Sequence, residues 1–190
     1  TTTDARKNPP PIKKPPITTN HQKRCSQITN TTMIHTFLAI SNHNNHLDSA
    51  YKQALICAMH TLTIQTHKRD ELVPITDRIQ DHITQSGLQS GLCILYVPHT
   101  TAAVTVNENA DPDVARDILM AIDKIIPFHD PSYKHLEGNS ASHVKACFFG
   151  TSETLIVENG RLVLGTWQGI YFCEFDGPRT RKLHIKLMSD

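Results

Sequence analysis

The sequence has few of the features that identify common protein classes. Its 190 residues include five cysteines, an odd number, with no Cys-x-x-Cys pair, which excludes a disulfide framework. No apolar run approaches the roughly 20 residues of a membrane helix. The first residues are polar and lack the apolar core of a signal peptide. We therefore expect a cytoplasmic protein with no membrane partner.

Signatures of catalysis are also missing. The chain has no Gly-x-Ser-x-Gly, no His-Glu-x-x-His and no Ser/His/Asp signature. Its "GTWQG" stretch lacks the lysine of a phosphate-binding loop and does not open a helix. Cys93, Cys147 and Cys173 each lie within an apolar run, which favours buried reduced thiols over a catalytic cysteine.

Charge and composition divide the chain near residue 58. Residues 1–58 carry seven Lys/Arg and two acids, whereas residues 59–190 carry twelve and sixteen. The second part is thus mildly acidic, which argues against a nucleic-acid partner. We predict an N-terminal extension over 1–58, largely disordered because residues 1–32 are rich in Thr, Pro and Lys, with a short helix at 47–58. Residues 59–190 are predicted to form one domain.

The pattern of this domain predicts an α+β fold with an antiparallel sheet, sandwich-like, in two layers with two main helices. One helix should be capped by Thr76 or Asp77 and end at Gly87; the other should begin at Asp111-Pro112. Strands are predicted at 61–66, 92–97, 102–107, 143–150, on both sides of Asn159-Gly160, at 167–176 and at 182–188. The second helix should bury a stripe made of Val114, Ile118, Ala121, Ile122 and Ile125.

Three histidines near predicted strand ends form the first candidate site. His99 ends a central strand, His135 lies in a polar loop and His143 follows eight residues later. Three imidazoles with an open fourth position suit zinc. The alternative is that each histidine is a hydrogen-bonded loop residue. Glu108 and Glu137 lie beside them and are candidate bases or solvated turn acids.

The turn "DGPRTRK" at 176–182 supplies a second candidate. Arg179 and Arg181 occupy alternate positions in this stretch, and paired guanidinium groups suit phosphate. The alternative is an exposed, salt-bridged edge. Thr100 and Thr101 either donate to an anion or shape their turn.

Long motifs extend these observations. The stretches "VPHTTAAVTVNENADPDV", "HLEGNSASHVKA" and "GTSETLIVENGRLVLGTWQGIYFCEFDGPRTRK" resemble the YjbQ family over about residues 59–189, in the family's order. The resemblance implies a compact α+β homotrimer with sites in clefts between subunits. It also implies a secondary thiamine-phosphate synthase activity.

The resemblance carries over to particular residues. The family's histidines fall on His99, His135 and His143, which we take as metal ligands. Its "NEN" falls on residues 107–109, which adds Asn109 to the catalytic candidates Glu108 and Glu137. The predicted substrate-binding residues are Thr100, Thr101, Lys145, Trp167, Gln168, Arg179 and Arg181.

The implied reaction and the histidines favour different metals. Joining a thiazole nitrogen to a pyrimidine methylene with loss of pyrophosphate suits Mg²⁺ and cationic side chains. Histidines suit zinc and activated water, hence hydrolysis. Three hypotheses follow: a thiamine-phosphate synthase acting on a small phosphorylated substrate, a metal-dependent hydrolase of a small metabolite, and a non-catalytic anion-binding module.

Overall fold

The structure, a computed structural model, describes residues 52–56 and 58–190. In the domain, eight strands and three helices follow one another along the chain. The strands are β1 Met59–Gln65, β2 Glu71–Pro74, β3 Ser90–Tyr96, β4 Ala102–Glu108, β5 Ser152–Glu158, β6 Arg161–Leu162, β7 Gln168–Glu174 and β8 Thr180–Ser189. The helices are α1 Thr76–Ser86, α2 Pro112–Ile125 and α3 Ser140–Phe149.

All strand pairs are antiparallel and build two sheets. The larger has the order β1-β8-β3-β5-β6 and the smaller the order β2-β7-β4. This confirms the predicted α+β class with antiparallel sheets. The predicted central strand, β3, does lie in the middle of the larger sheet. The short strand β2 was not predicted, because four residues give too little alternation to recognise.

The main core lies between the two sheets. It combines Ile64, Leu95 and Leu183 of the larger sheet with Val104 and Phe172 of the smaller one. Helix α1 closes it through Ile79 and Ile83, both fully buried. The alternating pattern of β3 and β8, with every second residue buried, is what one core-facing side of a sheet requires.

A second core lies on the other face of the smaller sheet. Leu72, Ala103, Tyr171 and Cys173 of that sheet pack there with Ala146 of α3, and α2 covers them through half-buried residues. The domain therefore has three layers, not the predicted two. Strand β7 is buried from Gly169 to Glu174 because it has a core on both faces.

The prediction of a strand at 143–150 is wrong: these residues belong mostly to α3. Periodicity alone does not separate a short apolar strand from a short buried helix, and tertiary packing favours the helix here. A helix turns Cys147 outward, so this cysteine is exposed, against the expectation of a buried thiol, whereas Cys93 and Cys173 are buried as expected.

The two predicted helices are confirmed, but the start of α1 and the burial of α2 differ from the prediction. Gly87 ends α1 with a left-handed φ of 72°, but no side chain caps its start; Thr76 instead accepts a hydrogen bond from the Ile170 N–H. Asp111 caps α2 through the Asp113 N–H. No residue of α2 is fully buried, and Ile125 is 69% exposed, so the predicted buried stripe is only half covered.

The hairpin at Asn159-Gly160 is confirmed. Both residues have positive φ, 53° and 73°, as a type I′ turn requires. Of the predicted helix at 47–58, residues 52–56 are helical, and residues 47–51 and 57 lie outside the described residues. The predicted disorder of 1–32 also lies outside them.

Candidate functional site

His99 lies in the turn between β3 and β4, half-buried. The Lys182 N–H donates to its Nε2 at 2.9 Å, so the neutral ring carries its hydrogen on Nδ1. Burial, and then the nearby Arg181 guanidinium, lower the pKa of His99. The histidine is therefore held as a neutral imidazole whose Nδ1–H is its only donor.

A buried ion pair lies next to His99. Glu174 is 0% exposed, and Arg181 binds it through Nε at 2.7 Å and through Nη2 at 2.5 Å. The same Nη2 donates to the Thr101 hydroxyl at 2.9 Å. Glu174 further accepts the Thr66 hydroxyl and the Phe175 and Asp176 N–H groups. Arg181 was predicted to bind a substrate anion; in the structure its charge is neutralised inside the protein.

The turn between β7 and β8 joins this pair to the start of α3. The Ser142 hydroxyl donates to the Phe175 carbonyl at 2.5 Å, and the Asn139 amide donates to Asp176 at 3.1 Å. Arg179, 53% exposed, binds the same Asp176 carboxylate at 2.7 Å. The predicted phosphate-binding arginine is therefore part of a salt-bridged edge, the alternative considered for this turn.

His135 and His143 meet at the start of α3. Their ring centroids are 5.2 Å apart at an interplanar angle of 87°. His135 Nε2 lies 3.8 Å from the Glu137 carboxylate, and the side chains of these two residues are 44% and 73% exposed. The two imidazoles and the carboxylate form a cluster suited to proton transfer. They lie at the N-terminal end of α3, and this end of a helix favours anions.

Lys145 belongs to α3, and its buried side chain is not available to a substrate. It is 1% exposed, and its Nζ binds Asp123 at 2.8 Å and Asp70 at 3.2 Å. Arg69 also binds Asp70 and lies over the Phe128 ring. The hydrogen bond from Lys145 lowers the pKa of Asp123. This cluster ties α3 to α2 and to the turn before β2.

A second polar cluster occupies the opposite end of β4 and β7. The Tyr171 hydroxyl contacts Asn109 Oδ1 at 2.7 Å and the Glu108 carbonyl at 3.0 Å. The Asn109 N–H donates to the Trp167 carbonyl at 2.8 Å. Trp167 is 64% exposed, and Gln168 holds its own turn by accepting the Gly165 N–H.

The register of β4 with β7 separates the two clusters. Ala102 pairs with Glu174 at one end and Glu108 with Gln168 at the other. At about 3.4 Å per residue the ends lie roughly 20 Å apart. Within one chain, therefore, Glu108 and Asn109 do not reach a substrate held between His135 and His143.

The structure brings together two of the three predicted metal ligands. His135 and His143 are adjacent, whereas His99 binds the backbone of β8. Among residues 52–56 and 58–190, no three His, Cys, Asp or Glu side chains are grouped so as to hold a metal ion. A zinc site built by these histidines thus needs a further ligand from outside this group.

Sequence reasoning missed Tyr171 and Asp70 as parts of these clusters. Tyr171 is in an apolar strand and Asp70 in a charged turn, so neither carried a signal in one sequence. Glu174 does carry a signal, since a carboxylate inside an apolar run that continues to Phe175 indicates a buried partner. No helix in the described part of the chain is long and apolar enough to cross a membrane.

The fold and these clusters define a class of small α+β sandwich proteins with a polar site around the β7–β8 turn. A family model described as "UPF0047 protein YjbQ-like" matches residues 60–190. The chain belongs to this YjbQ (UPF0047) family.

Relatives and solved structures agree with this assignment. The UPF0047 protein YugU of Bacillus subtilis is 54% identical over 128 residues, covering 67% of this chain and 97% of the relative. A UPF0047 protein of Methanocaldococcus jannaschii is 49% identical over 127 residues, covering 67% of this chain and 91% of the relative. A YjbQ/UPF0047-family structure from Clostridium acetobutylicum shows 49% identity and a TM-score of 0.66, over 68% of this chain and 99% of its own.

Proposed function

We propose that the protein is an enzyme acting on a small phosphorylated metabolite, with a secondary thiamine-phosphate synthase activity. The observation that carries the proposal is the contact between His135 and His143 at the start of α3. The family resemblance supplies the reaction. The paired imidazoles supply groups able to give a proton to a departing phosphate oxygen.

The synthase reaction has few chemical requirements. The thiazole nitrogen attacks the pyrimidine methylene carbon, the carbon–oxygen bond to the diphosphate breaks, and pyrophosphate leaves with the bonding electrons. The leaving group needs positive charge or a proton. Lys145 and Arg181 are buried against carboxylates, so the start of α3 and the two histidines are the better candidates for this role. Mg²⁺, which prefers phosphate oxygens, would enter with the substrate.

The test is formation of thiamine phosphate from the two precursors by the purified protein. We expect His143→Ala to reduce the rate by roughly 10²-fold or more, whereas His129→Ala, at an exposed histidine outside the cluster, keeps the wild-type rate. Equal rates in the two variants would remove the histidine pair from the mechanism. A wild-type protein without activity would refute the synthase proposal itself.

A homotrimer is the second part of the proposal. The outer face of the larger sheet has an exposed apolar row, because Leu92 pairs with Ile156 on one side and Met188 on the other. Ile156 is 57% and Met188 48% exposed, and apolar rows of this kind are typical of interfaces. Sedimentation should show a trimer that Ile156→Glu dissociates and that Ile125→Glu, at an exposed position of α2, leaves intact.

A trimer offers a way to unite the two clusters that are separated in one chain. In a site shared between subunits, the histidines come from one chain and Asn109 from the next. Mixing His143→Ala with Asn109→Ala subunits, each inactive alone, should then restore about a quarter of the activity, since a random mixture pairs two intact halves at that frequency. No recovery on mixing would contradict a site shared between subunits.

A metal-dependent hydrolase is the second candidate, favoured by the two imidazoles beside Glu137. This donor set suits zinc better than Mg²⁺, and His99 of another subunit would be the missing ligand once its Nε2 gives up the hydrogen bond from the Lys182 N–H. Elemental analysis of the wild type and of His99→Ala tests whether the protein holds zinc through these histidines. About one zinc ion per chain, lost in the variant, supports the hydrolase; protein without stoichiometric metal refutes it and leaves the synthase or plain anion binding.

A further inference from the structure

The cluster at the far end of β4 and β7 has features of a binding site for a flat ring. We infer that Trp167 and Asn109 bind an amino-substituted nitrogen heterocycle, with Tyr171 as the positioning residue for the Asn109 amide. The inference rests on the proposed function for its place in a reaction, because a pyrimidine ring is one half of that substrate.

The first step of the argument is the orientation of Asn109. The Tyr171 hydroxyl lies 2.7 Å from Asn109 Oδ1, and Tyr171 itself is only 3% exposed. Its ring is anchored in the core beneath α2 and α3. A hydroxyl held by a packed ring fixes the amide more firmly than a surface partner does.

The second step is the absence of a side chain at residue 169. A Cβ there would lie 2.5 Å from Asn109 Cβ and 2.7 Å from its Nδ2, closer than such contacts occur. Asn109 therefore lies directly over Gly169. Gly169 is the second residue of β7, which begins directly after Trp167. With the backbone bond from Asn109 to Trp167, the amide and the indole are part of one small unit.

The third step is the chemistry that this unit presents. Asn109 is exposed, and one edge of its amide offers a donor and an acceptor together. The same edge of asparagine reads adenine by pairing with the exocyclic N6 amino group and the ring nitrogen N7, which lie on one edge of the base. An exposed indole offers a face on which a flat ring stacks. Together they fit a ring carrying an amino group beside a ring nitrogen.

The sequence provides a direct probe, since Trp167 is the single tryptophan. We would titrate the wild-type protein with 4-aminopyrimidine and with pyrimidine, which lacks the amino group, and follow tryptophan fluorescence. The expected result is quenching by both, with 4-aminopyrimidine binding about tenfold more tightly, the worth of one good hydrogen bond at about 1.4 kcal/mol.

The variants separate positioning from general damage. Asn109→Ala and Tyr171→Phe should lower the ratio of the two affinities toward one, whereas a structural defect alone would weaken both ligands equally. Asn107→Ala and Tyr96→Phe are the matched controls, because Asn107 is an exposed asparagine two residues before Asn109 and Tyr96 is a tyrosine on the outer face of the larger sheet. Both should keep the wild-type ratio.

Three outcomes overturn the inference: no quenching, equal affinity for the two ligands in the wild type, or a ratio unchanged in Asn109→Ala. The binding assay does not depend on turnover, so its failure is distinct from failure of the synthase proposal. Selective binding without thiamine phosphate formation supports the ring site and refutes the synthase. Synthesis without selective binding does the reverse.

Discussion

Glu174 and Arg181 form an ion pair with two hydrogen bonds inside the protein, at 2.7 and 2.5 Å, with Glu174 fully buried and Arg181 6% exposed. The pair joins the end of β7 to the start of β8 and borders the turn that holds His99. Its charges balance each other, so it orders the site without offering a free charge to a ligand.

Removing the arginine should therefore destabilise the protein severely. In Arg181→Met the carboxylate of Glu174 is left buried and uncompensated, which typically costs about 3–5 kcal/mol. Arg179→Met breaks only an exposed pair with Asp176, worth about 1 kcal/mol or less. Urea unfolding of the two variants measures both values, and similar losses would contradict the burial of the pair.

The same substitution has an effect on His99. Because the Arg181 charge lowers the pKa of His99, its removal should move this pKa upward, toward the ordinary value of about 6.5. NMR titration of the histidine ring in folded Arg181→Met protein measures the change, with Arg181→Lys as the control. Arg181→Lys keeps the charge, so it should leave the pKa nearly unshifted.

Acid should destabilise the protein through His82. This side chain is 6% exposed, its Nε2 has no hydrogen-bond partner in the described part of the chain, and its ring stacks on His60 at 4.3 Å. Burial, then the charge of His60, lower the pKa of His82 to about 4. Between pH 6.5 and 4 the unfolded chain binds a proton that the folded chain does not, so stability falls as the pH falls, by at most about 3 kcal/mol.

The measurement is the urea midpoint at pH 7, 5.5 and 4.5. His82→Gln should lose part of the pH dependence, and His129→Gln, at an exposed histidine, should retain all of it. An unchanged slope in His82→Gln would show that His82 is not the group responsible.

Lys145 should contribute to stability as a bridge between helices. Lys145→Met leaves Asp70, 13% exposed in its side chain, with Arg69 as its remaining cation, and we expect a loss of about 2 kcal/mol. Adding Asp70→Asn should recover part of the loss, because it removes the stranded charge. Lys124→Met, in the exposed last turn of α2, should cost under about 0.5 kcal/mol; thermal or urea unfolding of the four proteins tests the bridge.

Gly91, in β3, should not tolerate a side chain. Its φ is 142°, and a Cβ would lie 2.0 Å from the Met188 carbonyl oxygen on the paired strand, so Gly91→Ala requires the strands to part. We expect a loss above about 3 kcal/mol. Gly138→Ala also has positive φ, 74°, but meets no atom within 4 Å, and should cost about 1 kcal/mol. Equal losses in unfolding experiments would mean that the strands yield easily.

Local signals predicted much of the fold correctly. The Asn-Gly turn, the Asp111-Pro112 helix start and Gly87 each specify a backbone conformation through their own chemistry. The apolar run at 143–150 does not specify its backbone conformation, because a strand and a helix bury it equally well until α3 is packed on the smaller sheet. The helical conformation of this run also turns Lys145 inward and Cys147 outward.

The candidate site was predicted as a set of residues and not as an arrangement. Alternation and turn chemistry act over a few neighbours, so they specify the α+β class, most element positions and the concentration of polar residues near strand ends. Local patterns do not show that Arg181 is neutralised by Glu174, that His143 meets His135 and not His99, or that Asn109 lies at the far end of the strand pair. Those facts depend on strand register and helix packing between residues distant in the chain, which local patterns do not encode.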